Sequence, residues 1–192
     1  MADAQEPGDP ASHARALAQF RRAKDAWLTA DAQSPLTAEQ RRRFGGLAYY
    51  DDAPALIFVV PPEPFDRPEP VELATSGGEA ATYERWARIR FAVDGQEAAL
   101  TVYRQPGAEQ FFLPFVDATA GRETYGAGRY LEVHELRDGR LLVDFNYAYN
   151  PYCAYNAGYS CPLPPAENRL AVAIRAGERA FAGDAAEHRH SR

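Results

Sequence analysis

The sequence feature that most constrains the fold is an Asp94-Gly95 pair that interrupts a long stretch of alternating apolar and polar residues, 83–104. An Asp-Gly pair is favoured in the tight type I′ turn that joins two antiparallel strands. If Val93 pairs with Gln96 across this turn, one face of the stretch is apolar throughout, which predicts a β-hairpin with one buried face. The apolar pairs are Phe91 with Ala98, Ile89 with Leu100 and Ala87 with Val102, and the other face carries Glu84, Arg88 and Arg90.

A second hairpin is predicted over residues 129–146, which contain another Asp-Gly pair, Asp138-Gly139. A two-residue turn at that pair places Val133 opposite Asp144. Because side chains alternate along a strand, one face of the hairpin then has an apolar centre and polar groups at its open end. That face carries Arg129, Leu131, Val133, Leu142, Asp144 and Asn146.

Two interpretations of this polar end stay open. A charged group beside buried apolar surface must be paired or hydrogen-bonded. Asp144 and Arg129 therefore form either a structural bridge that holds the following loop to the sheet, or part of a pocket for a polar ligand. The same alternation puts His134 on the opposite face, as an ordinary surface histidine, and disfavours a site that combines it with Asp144.

The rest of the chain supplies a helical segment and further strands. Residues 13–30 carry an apolar stripe at helical spacing, and Thr37 and Gln40 have the spacing of a capping box that begins a short second helix. The stripe consists of Leu17, Phe20, Lys24, Trp27 and Leu28. Apolar runs predict strands at residues 56–60, 71–75, 111–116 and 170–175, with a proline- and acid-rich connection before the second of them.

Strands joined by hairpins and short loops favour a mainly β (α+β) fold, because a parallel sheet would need crossover helices. We expect an antiparallel β-sandwich or a partly open barrel with an N-terminal helical segment. The length of 192 residues fits one domain. The predicted division is a disordered N-terminus (1–12), a single domain (13–181) and a polar tail (182–192). Within the domain, residues 13–45 are the helical lead-in and residues 46–181 the β domain.

Composition and charge exclude several partners. A net charge of −6 argues against nucleic acid, whose phosphates require clustered Lys and Arg. No apolar run of the sequence approaches the ~20 residues of a membrane span, and the N-terminus lacks the pattern of a signal peptide. The sequence therefore predicts a cytoplasmic protein whose partners are neither nucleic acid nor membrane. It leaves the cofactor and the oligomeric state undetermined.

The residues most typical of a functional loop lie in the stretch 144–178, which holds both cysteines and five of the eleven tyrosines. Its blocks are Asp-Phe-Asn-x-Ala-Tyr-Asn-Pro-x-Cys-Ala-Tyr from Asp144, Cys-Pro-Leu-Pro-Pro-x-Glu-Asn-Arg-Leu from Cys161, and Ala-Gly-Glu at 176–178. Upstream are Pro-Phe-x-Asp-x-Thr-x-Gly-x-x-Thr-Tyr-x-x-Gly-Arg-Tyr-Leu from Pro114 and Phe-x-Gly-Leu-x-Tyr-Tyr from Phe44. Over residues 20–181 the chain resembles a bacterial and archaeal family known as domain of unknown function 1684, with Ala120 as a departure from an expected Ser. The resemblance implies no activity.

The two cysteines, Cys153 and Cys161, are spaced Cys-x7-Cys, which is wider than the Cys-x2-4-Cys pairs of zinc sites. Three states stay open: adjacent free thiols, a disulfide, or a metal or redox site that borrows a ligand such as Asp144 or Glu167. A reducing cytoplasm argues against a permanent disulfide. No metal site is predicted, and these two residues are the candidates if one exists.

Nucleophilic hydrolysis has little support, because the sequence has no Gly-x-Ser-x-Gly elbow and only His134 lies in the body of the predicted domain. The best-supported function is binding of a small polar ligand, by a binding module or an enzyme, in a pocket at the loop of residues 146–165, called here the signature loop. The predicted ligand-binding residues are Arg129, Asp144, Asn146, Asn150, Tyr125, Tyr149, Glu167 and Asn168. Glu167 and Glu178 are expected to converge on Arg129. The alternatives are a cysteine-based metal or redox site, and a purely structural or protein-interaction domain.

Overall fold

One antiparallel sheet dominates the protein. In a computed structural model that describes residues 8–182, seven strands follow the order β1-β7-β6-β5-β4-β3-β2 and curl into a half-barrel. The strands are β1 (Ile57–Val60), β2 (Glu63–Ala74), β3 (Ala80–Val93), β4 (Gln96–Arg104), β5 (Phe111–Phe115), β6 (Arg129–Glu135) and β7 (Leu141–Asp144). The helices α1 (Pro10–Ala30) and α2 (Ala38–Arg43) precede the sheet. The predicted mainly antiparallel β fold with an N-terminal helix is therefore confirmed.

Helix α1 begins three residues earlier than predicted. Pro10 is its first residue, and the side chain of Asp9 accepts hydrogen bonds from the backbone N–H groups of Ala11 and Ser12, which caps the helix.

Residues 1–7 of the predicted disordered segment lie outside the described residues, as does the predicted tail from residue 183 onwards. The capping box of α2 is present as predicted. Neither helix of the described part is long and apolar enough to span a lipid bilayer.

The first hairpin, β3–β4, has the predicted register. Asp94 and Gly95 have φ angles of 51° and 77°, which is the double positive φ that a type I′ turn requires. The predicted pairs Phe91–Ala98, Ile89–Leu100 and Ala87–Val102 all form, and a bulge at residues 85–87 follows them.

The second hairpin, β6–β7, also forms, but its predicted register is wrong by one residue. The observed pairs are His134 with Leu142 and Glu135 with Leu141. The turn has three residues, because the N–H of Leu136 donates to the carbonyl of Arg140. Gly139 (φ 81°) has a positive φ and Asp138 does not, as in a type I turn followed by a left-handed glycine.

The register shift changes which side chains reach the core. A slip of one residue moves every side chain of a strand to the other face of the sheet. Leu141 and Val143 therefore pack in the main core with Val133, whereas Asp144 lies on the opposite face, the face of His134. The predicted grouping of Asp144 with Arg129 and Val133 on one face is wrong for this reason.

Two other segments differ from the prediction. The proline- and acid-rich connection belongs to β2, which has an irregularity between Pro64 and Glu69. β2 is an edge strand, where a proline costs no hydrogen bond of the sheet. The predicted last strand, 170–175, is irregular instead; it places Val172 and Ile174 in the core beside the sheet.

The sheet thus has two differently covered faces. The inner face carries Leu113, Leu131 and Val133, and it forms the main core with the C-terminal segment 172–176. The outer face carries Phe112, Tyr130, Glu132 and His134. Helix α1 and the signature loop cover part of the outer face, and an open groove lies between α1 and this face, with the loop as a further wall.

Candidate functional site

The groove between α1 and the outer face has a volume of about 670 Å³. Helix α1 contributes Phe20, Ala23, Lys24 and Trp27. The sheet contributes Tyr83, Phe112, Tyr130, Glu132 and His134. The signature loop contributes Tyr147, Tyr149, Pro151, Tyr152, Cys161 and Pro162. Eight of these fifteen side chains are aromatic, so the groove offers mainly ring surface to a ligand.

Two sequence periodicities build the walls. The α1 residues recur at positions i, i+3, i+4 and i+7, which places them on one face of a helix. Tyr130, Glu132 and His134 alternate along β6 and therefore project from the same face of the sheet. The predicted apolar stripe of α1 is thus partly a groove wall: Leu17 and Leu28 are buried, whereas Phe20 remains 38% exposed.

The rings hold each other in place. Phe112 stacks on Tyr83 at 5.1 Å between ring centroids and meets Tyr130 edge-to-face at 4.7 Å. Phe20 packs against Tyr147 at 4.9 Å. The hydroxyl of Tyr130 donates to the carbonyl of Pro162 at 2.5 Å. Burial raises the pKa of Tyr130, so this hydroxyl stays protonated. The groove is therefore preformed by contacts among its own lining residues.

A buried ion pair ties α1 to the C-terminal segment beside the groove. Lys24 Nζ pairs with Glu178 Oε1 and lies 4.9 Å from the centre of the Tyr149 ring. Glu178 is only 1% exposed, and its other oxygen accepts hydrogen bonds from Tyr155 Oη at 2.6 Å and from the N–H of Asn150 at 2.8 Å. Burial, followed by the charge of Glu178, raises the pKa of Tyr155. The charge of Lys24 is thus neutralised within the fold.

Glu132 and His134 are the exposed polar residues of the groove. Neither side chain makes a hydrogen bond to any residue in the range 8–182. They are spaced two residues apart on β6, so both project over the same end of the groove. They are consequently available to a bound molecule, unlike Lys24.

Arg129, the central residue of the predicted site, lies outside the groove on the inner face and is 1% exposed. Its guanidinium donates to the carbonyls of Ile174, Ala176 and Glu178 at 2.7, 2.5 and 3.0 Å, and to Asp117 at 3.3 Å. Burial lowers the pKa of Arg129, and the charge of Asp117 opposes that shift. Arg129 therefore holds the C-terminal segment against the sheet.

Asp144 does not pair with Arg129. Its carboxylate accepts hydrogen bonds from the N–H of Asn146 at 3.0 Å and from Asn146 Nδ2 at 2.9 Å. The second oxygen of Asp144 lies 2.6 Å from His13 Nε2 on α1. Asn146 in turn exchanges hydrogen bonds with both backbone groups of Ala53. Asp144 and Asn146 thus join α1 and the segment before β1 to the end of β7.

His13 was missed by the sequence analysis, which considered only His134 within the domain. The signal that could have found it is helical spacing: His13, Leu17 and Phe20 stand at i, i+4 and i+7 and share the stripe that faces the sheet. A polar residue on such a stripe needs a partner across the interface.

Asn150 and Asn168 are buried residues that bind backbone groups. Asn150 Nδ2 donates to the carbonyl of Arg179 at 2.9 Å. Asn168 accepts from the N–H of Thr101 at 2.7 Å and donates to the carbonyls of Thr101 and Pro114. Both side chains are at most 1% exposed and attach a loop to the sheet.

Glu167 and Tyr125 also lie outside the groove. Glu167 forms a bidentate ion pair with Arg85 and accepts a hydrogen bond from Tyr103, so the expected convergence of Glu167 and the Glu178 carboxylate on Arg129 does not occur. Tyr125 donates to Cys153 Sγ at 3.7 Å. Of the eight predicted ligand-binding residues, Tyr149 alone lines the groove.

Both cysteines are free thiols. The N–H of Cys153 donates to Cys161 Sγ at 3.2 Å, and Cys161 lines the groove. The hydrogen bond from Cys161 lowers the pKa of Cys153 to about 6, and the shared proton raises the pKa of Cys161. Within residues 8–182, no three His, Cys, Asp or Glu side chains stand close enough to hold a metal ion together.

The protein is of the mainly β class, a curled antiparallel half-barrel. The C-terminal segment covers its inner face, and an aromatic groove lies on its outer face. The chain belongs to the family described as protein of unknown function (DUF1684), whose sequence model matches residues 42–179. The resemblance noted in the sequence is thereby confirmed. The family match begins after α1, so it covers the sheet and signature loop but not the helical wall of the groove.

A solved structure extends the comparison. The chain is 37% identical to an uncharacterized protein of Haloarcula marismortui, determined by solution NMR, with a TM-score of 0.69. The match covers 89% of this chain and 96% of the other. No curated protein matches the chain.

Proposed function

We propose that the protein binds a flat, largely apolar small molecule in the groove between α1 and the outer face of the sheet. The observation that carries this proposal is the lining, in which eight of fifteen side chains are aromatic. The volume of about 670 Å³ falls within the roughly 300–1,000 Å³ typical of small-molecule sites. A groove of that size suits a ligand of one to three fused rings better than a folded partner.

The arrangement of the rings supports a planar ligand. Phe20 and Trp27 on α1 stand across the groove from Tyr130 and Tyr149, so a ligand between them meets ring faces and edges on both sides. Aromatic pairs contribute about 0.5–1.5 kcal/mol beyond the burial of their area. Because the rings already contact one another, binding requires little reordering, which reduces its entropic cost.

The polar end of the ligand is expected at Glu132 and His134. Their side chains make no hydrogen bond within the described residues, whereas Lys24 is neutralised by Glu178. A hydroxyl, amine or amide at one end of the ligand would satisfy Glu132 or His134. The ligand is thus a small molecule, as the sequence led us to expect, but it is mainly apolar and not polar.

The sequence supports two further parts of the proposal. The net charge of −6 disfavours nucleic acid as a partner. We also propose that the protein is located in the cytoplasm.

The first experiment is native mass spectrometry of the purified protein, which detects a small molecule that co-purifies. The second is calorimetric titration with 2-naphthol, a flat neutral probe with one hydroxyl. The variants Phe20→Ala and Tyr152→Ala each remove one exposed ring from the groove. Each is expected to weaken 2-naphthol binding about two- to twelvefold, the equivalent of one lost aromatic contact.

Phe65→Ala is the matched control, because Phe65 is a partly exposed ring on β2 outside the groove. This variant is expected to bind 2-naphthol as wild type does. Equal affinities in wild type, Phe20→Ala and Tyr152→Ala would refute the groove as the site, as would an equal loss in Phe65→Ala.

A further inference from the structure

We propose that Cys153 and Cys161 form a reversible redox pair that a hydroperoxide oxidises to an intramolecular disulfide. The inference concerns a site that the family description does not assign, and it holds whether or not the groove binds an aromatic ligand. It rests on the placement of the two thiols, the hydrogen bonds at their sulfurs and the position of Cys161 in the groove wall.

The fold brings the two thiols together. A 3-10 turn at Tyr152–Ala154 and the loop that follows return the chain so that Cys161 lies next to Cys153. The N–H of Cys153 points at Cys161 Sγ, 3.2 Å away, and both cysteines pack in one cluster with Tyr130. Both are free and only 9% and 7% exposed. The pair is therefore positioned within one short loop, without a competing thiol in the sequence.

The surroundings favour one thiolate in the pair. The hydroxyl of Tyr125 donates to Cys153 Sγ at 3.7 Å. The hydrogen bond from Cys161, reinforced by that from Tyr125, lowers the pKa of Cys153 to about 6. The pKa of Cys161 is raised because the proton between the sulfurs is retained there. At neutral pH the pair thus combines a nucleophilic thiolate with a protonated thiol beside it, which suits a redox-sensing cysteine and its resolving partner.

The groove supplies the route for the oxidant. Cys161 forms part of its wall, and Cys153, the residue that reacts, packs beside it in one cluster with Tyr130. A protein-sized oxidant could not reach so buried a sulfur. Hydrogen peroxide is small enough to enter. A metal is not the better explanation of the pair, since no third ligand stands beside the two thiols among the described residues.

The reaction balances with peroxide as the two-electron oxidant. The thiolate sulfur of Cys153 attacks one peroxide oxygen, the O–O bond breaks, and the released hydroxide takes a proton to become water. Cys153 is then a sulfenic acid. The sulfur of Cys161 attacks that of Cys153, the S–O bond breaks, and the hydroxyl group leaves as a second water with the Cys161 proton. Two thiols are oxidised to one disulfide, and one hydrogen peroxide is reduced to two waters.

The experiment is mass spectrometry of the folded protein after treatment with hydrogen peroxide. We expect wild type to lose the mass of two hydrogen atoms, to yield a Cys153–Cys161 cross-linked peptide, and to regain its mass on addition of dithiothreitol. In Cys161→Ser the resolving thiol is absent, so Cys153 is expected to accumulate as a sulfenic acid that dimedone traps. In Cys153→Ser the remaining thiol is expected to react far more slowly.

Two further readouts separate a redox pair from buried structural thiols. The oxidation rate of wild type is expected to rise with pH through a midpoint near 6, as the Cys153 thiolate forms. Tyr125→Phe removes one donor to that sulfur and is expected to slow oxidation about two- to tenfold at neutral pH while the fold, followed by circular dichroism, is kept. The proposal is overturned if folded wild type keeps both thiols under peroxide that oxidises free cysteine, or forms only disulfides between chains.

Discussion

His13 near the start of α1 and Asp144 at the end of β7 are joined by a contact of 2.6 Å between Nε2 and Oδ2, although 131 residues separate them in the sequence. Asp52 lies 3.6 Å from the other ring nitrogen of His13. The pair fastens helix α1 to the sheet at the end of the second hairpin. It therefore helps to position helix α1, which forms one wall of the groove.

The first prediction concerns Asp144. Asp144→Ala removes the acceptor of His13 and of two N–H groups of Asn146, all in a mostly buried setting. Removing one member of a buried pair costs about 3–5 kcal/mol. Urea unfolding, compared at equal slope, measures the change. Asp138→Ala, in the exposed turn, is the control and is expected to shift the urea midpoint far less. Equal midpoints for Asp144→Ala and wild type would show that Asp144 is not a structural anchor.

The second prediction concerns Arg129. Arg129→Met leaves three backbone carbonyls of the C-terminal segment without their side-chain donor and the Asp117 carboxylate without its cationic partner. We expect a loss of about 3–5 kcal/mol in the free energy of unfolding. Arg129→Lys is expected to rescue little, because a single ammonium cannot reproduce the planar fork.

Arg175→Ala is the comparison for Arg129, since Arg175 forms an exposed ion pair with Glu123. Such an exposed pair contributes little to stability, because water and salt screen its charges. If Arg129→Met and Arg175→Ala unfold at the same urea concentration, the clamp assigned to Arg129 does not exist.

The third prediction concerns Gly128, which precedes Arg129. Its φ is 102°, and a Cβ there would stand 2.6 Å from the carbonyl oxygen of Phe115. Gly128→Ala is therefore expected to cost about 2–5 kcal/mol, from backbone strain and steric overlap together. Gly107→Ala is the matched control, because Gly107 has φ 76° but open space around its Cβ position. It is expected to cost about 1–2 kcal/mol. Thermal melting of both variants tests the difference, and equal losses would argue against the steric contribution.

The fourth prediction is a dependence of stability on pH. Burial alone would raise the pKa of Glu167, but hydrogen bonds from Arg85 and Tyr103 outweigh it and lower the pKa. The unfolded state then binds the proton more tightly, so the contribution of Glu167 is present above about pH 4.5 and is lost as the pH falls below that value. Urea midpoints measured through this range are expected to decline less steeply in Glu167→Gln than in wild type. A decline of equal slope in both proteins would contradict the assignment.

Local chemistry accounts for the parts of the fold that the sequence predicted correctly. The β3–β4 register follows from Asp94-Gly95 and the period-two pattern beside it. The capping box of α2 involves two residues three positions apart, and α1 follows from helical spacing. Each of these features is decided by neighbours in the chain, so the sequence alone suffices to identify it.

The register of the second hairpin, in contrast, is not decided by neighbours in the chain. Asp138-Gly139 is the same dipeptide as Asp94-Gly95, yet it forms a three-residue turn. The choice depends on which register places Leu141 and Val143 in the core beside β1, and β1 lies about eighty residues earlier in the chain. Because the register differs by one residue, Asp144 lies on the face covered by α1 and not on the face of Arg129. The predicted grouping of these two residues therefore does not form.

By itself the sequence determined the family, the antiparallel β class, the N-terminal helix and the first hairpin. Only the tertiary structure decided that the asparagines and Arg129 bind backbone groups and that an aromatic groove opens beneath α1. The physical reason is that the groove is assembled from positions between 20 and 162, whose side chains meet only when helix, sheet and loop pack together. Periodicity shows which face of an element is apolar, whereas packing decides what that face touches.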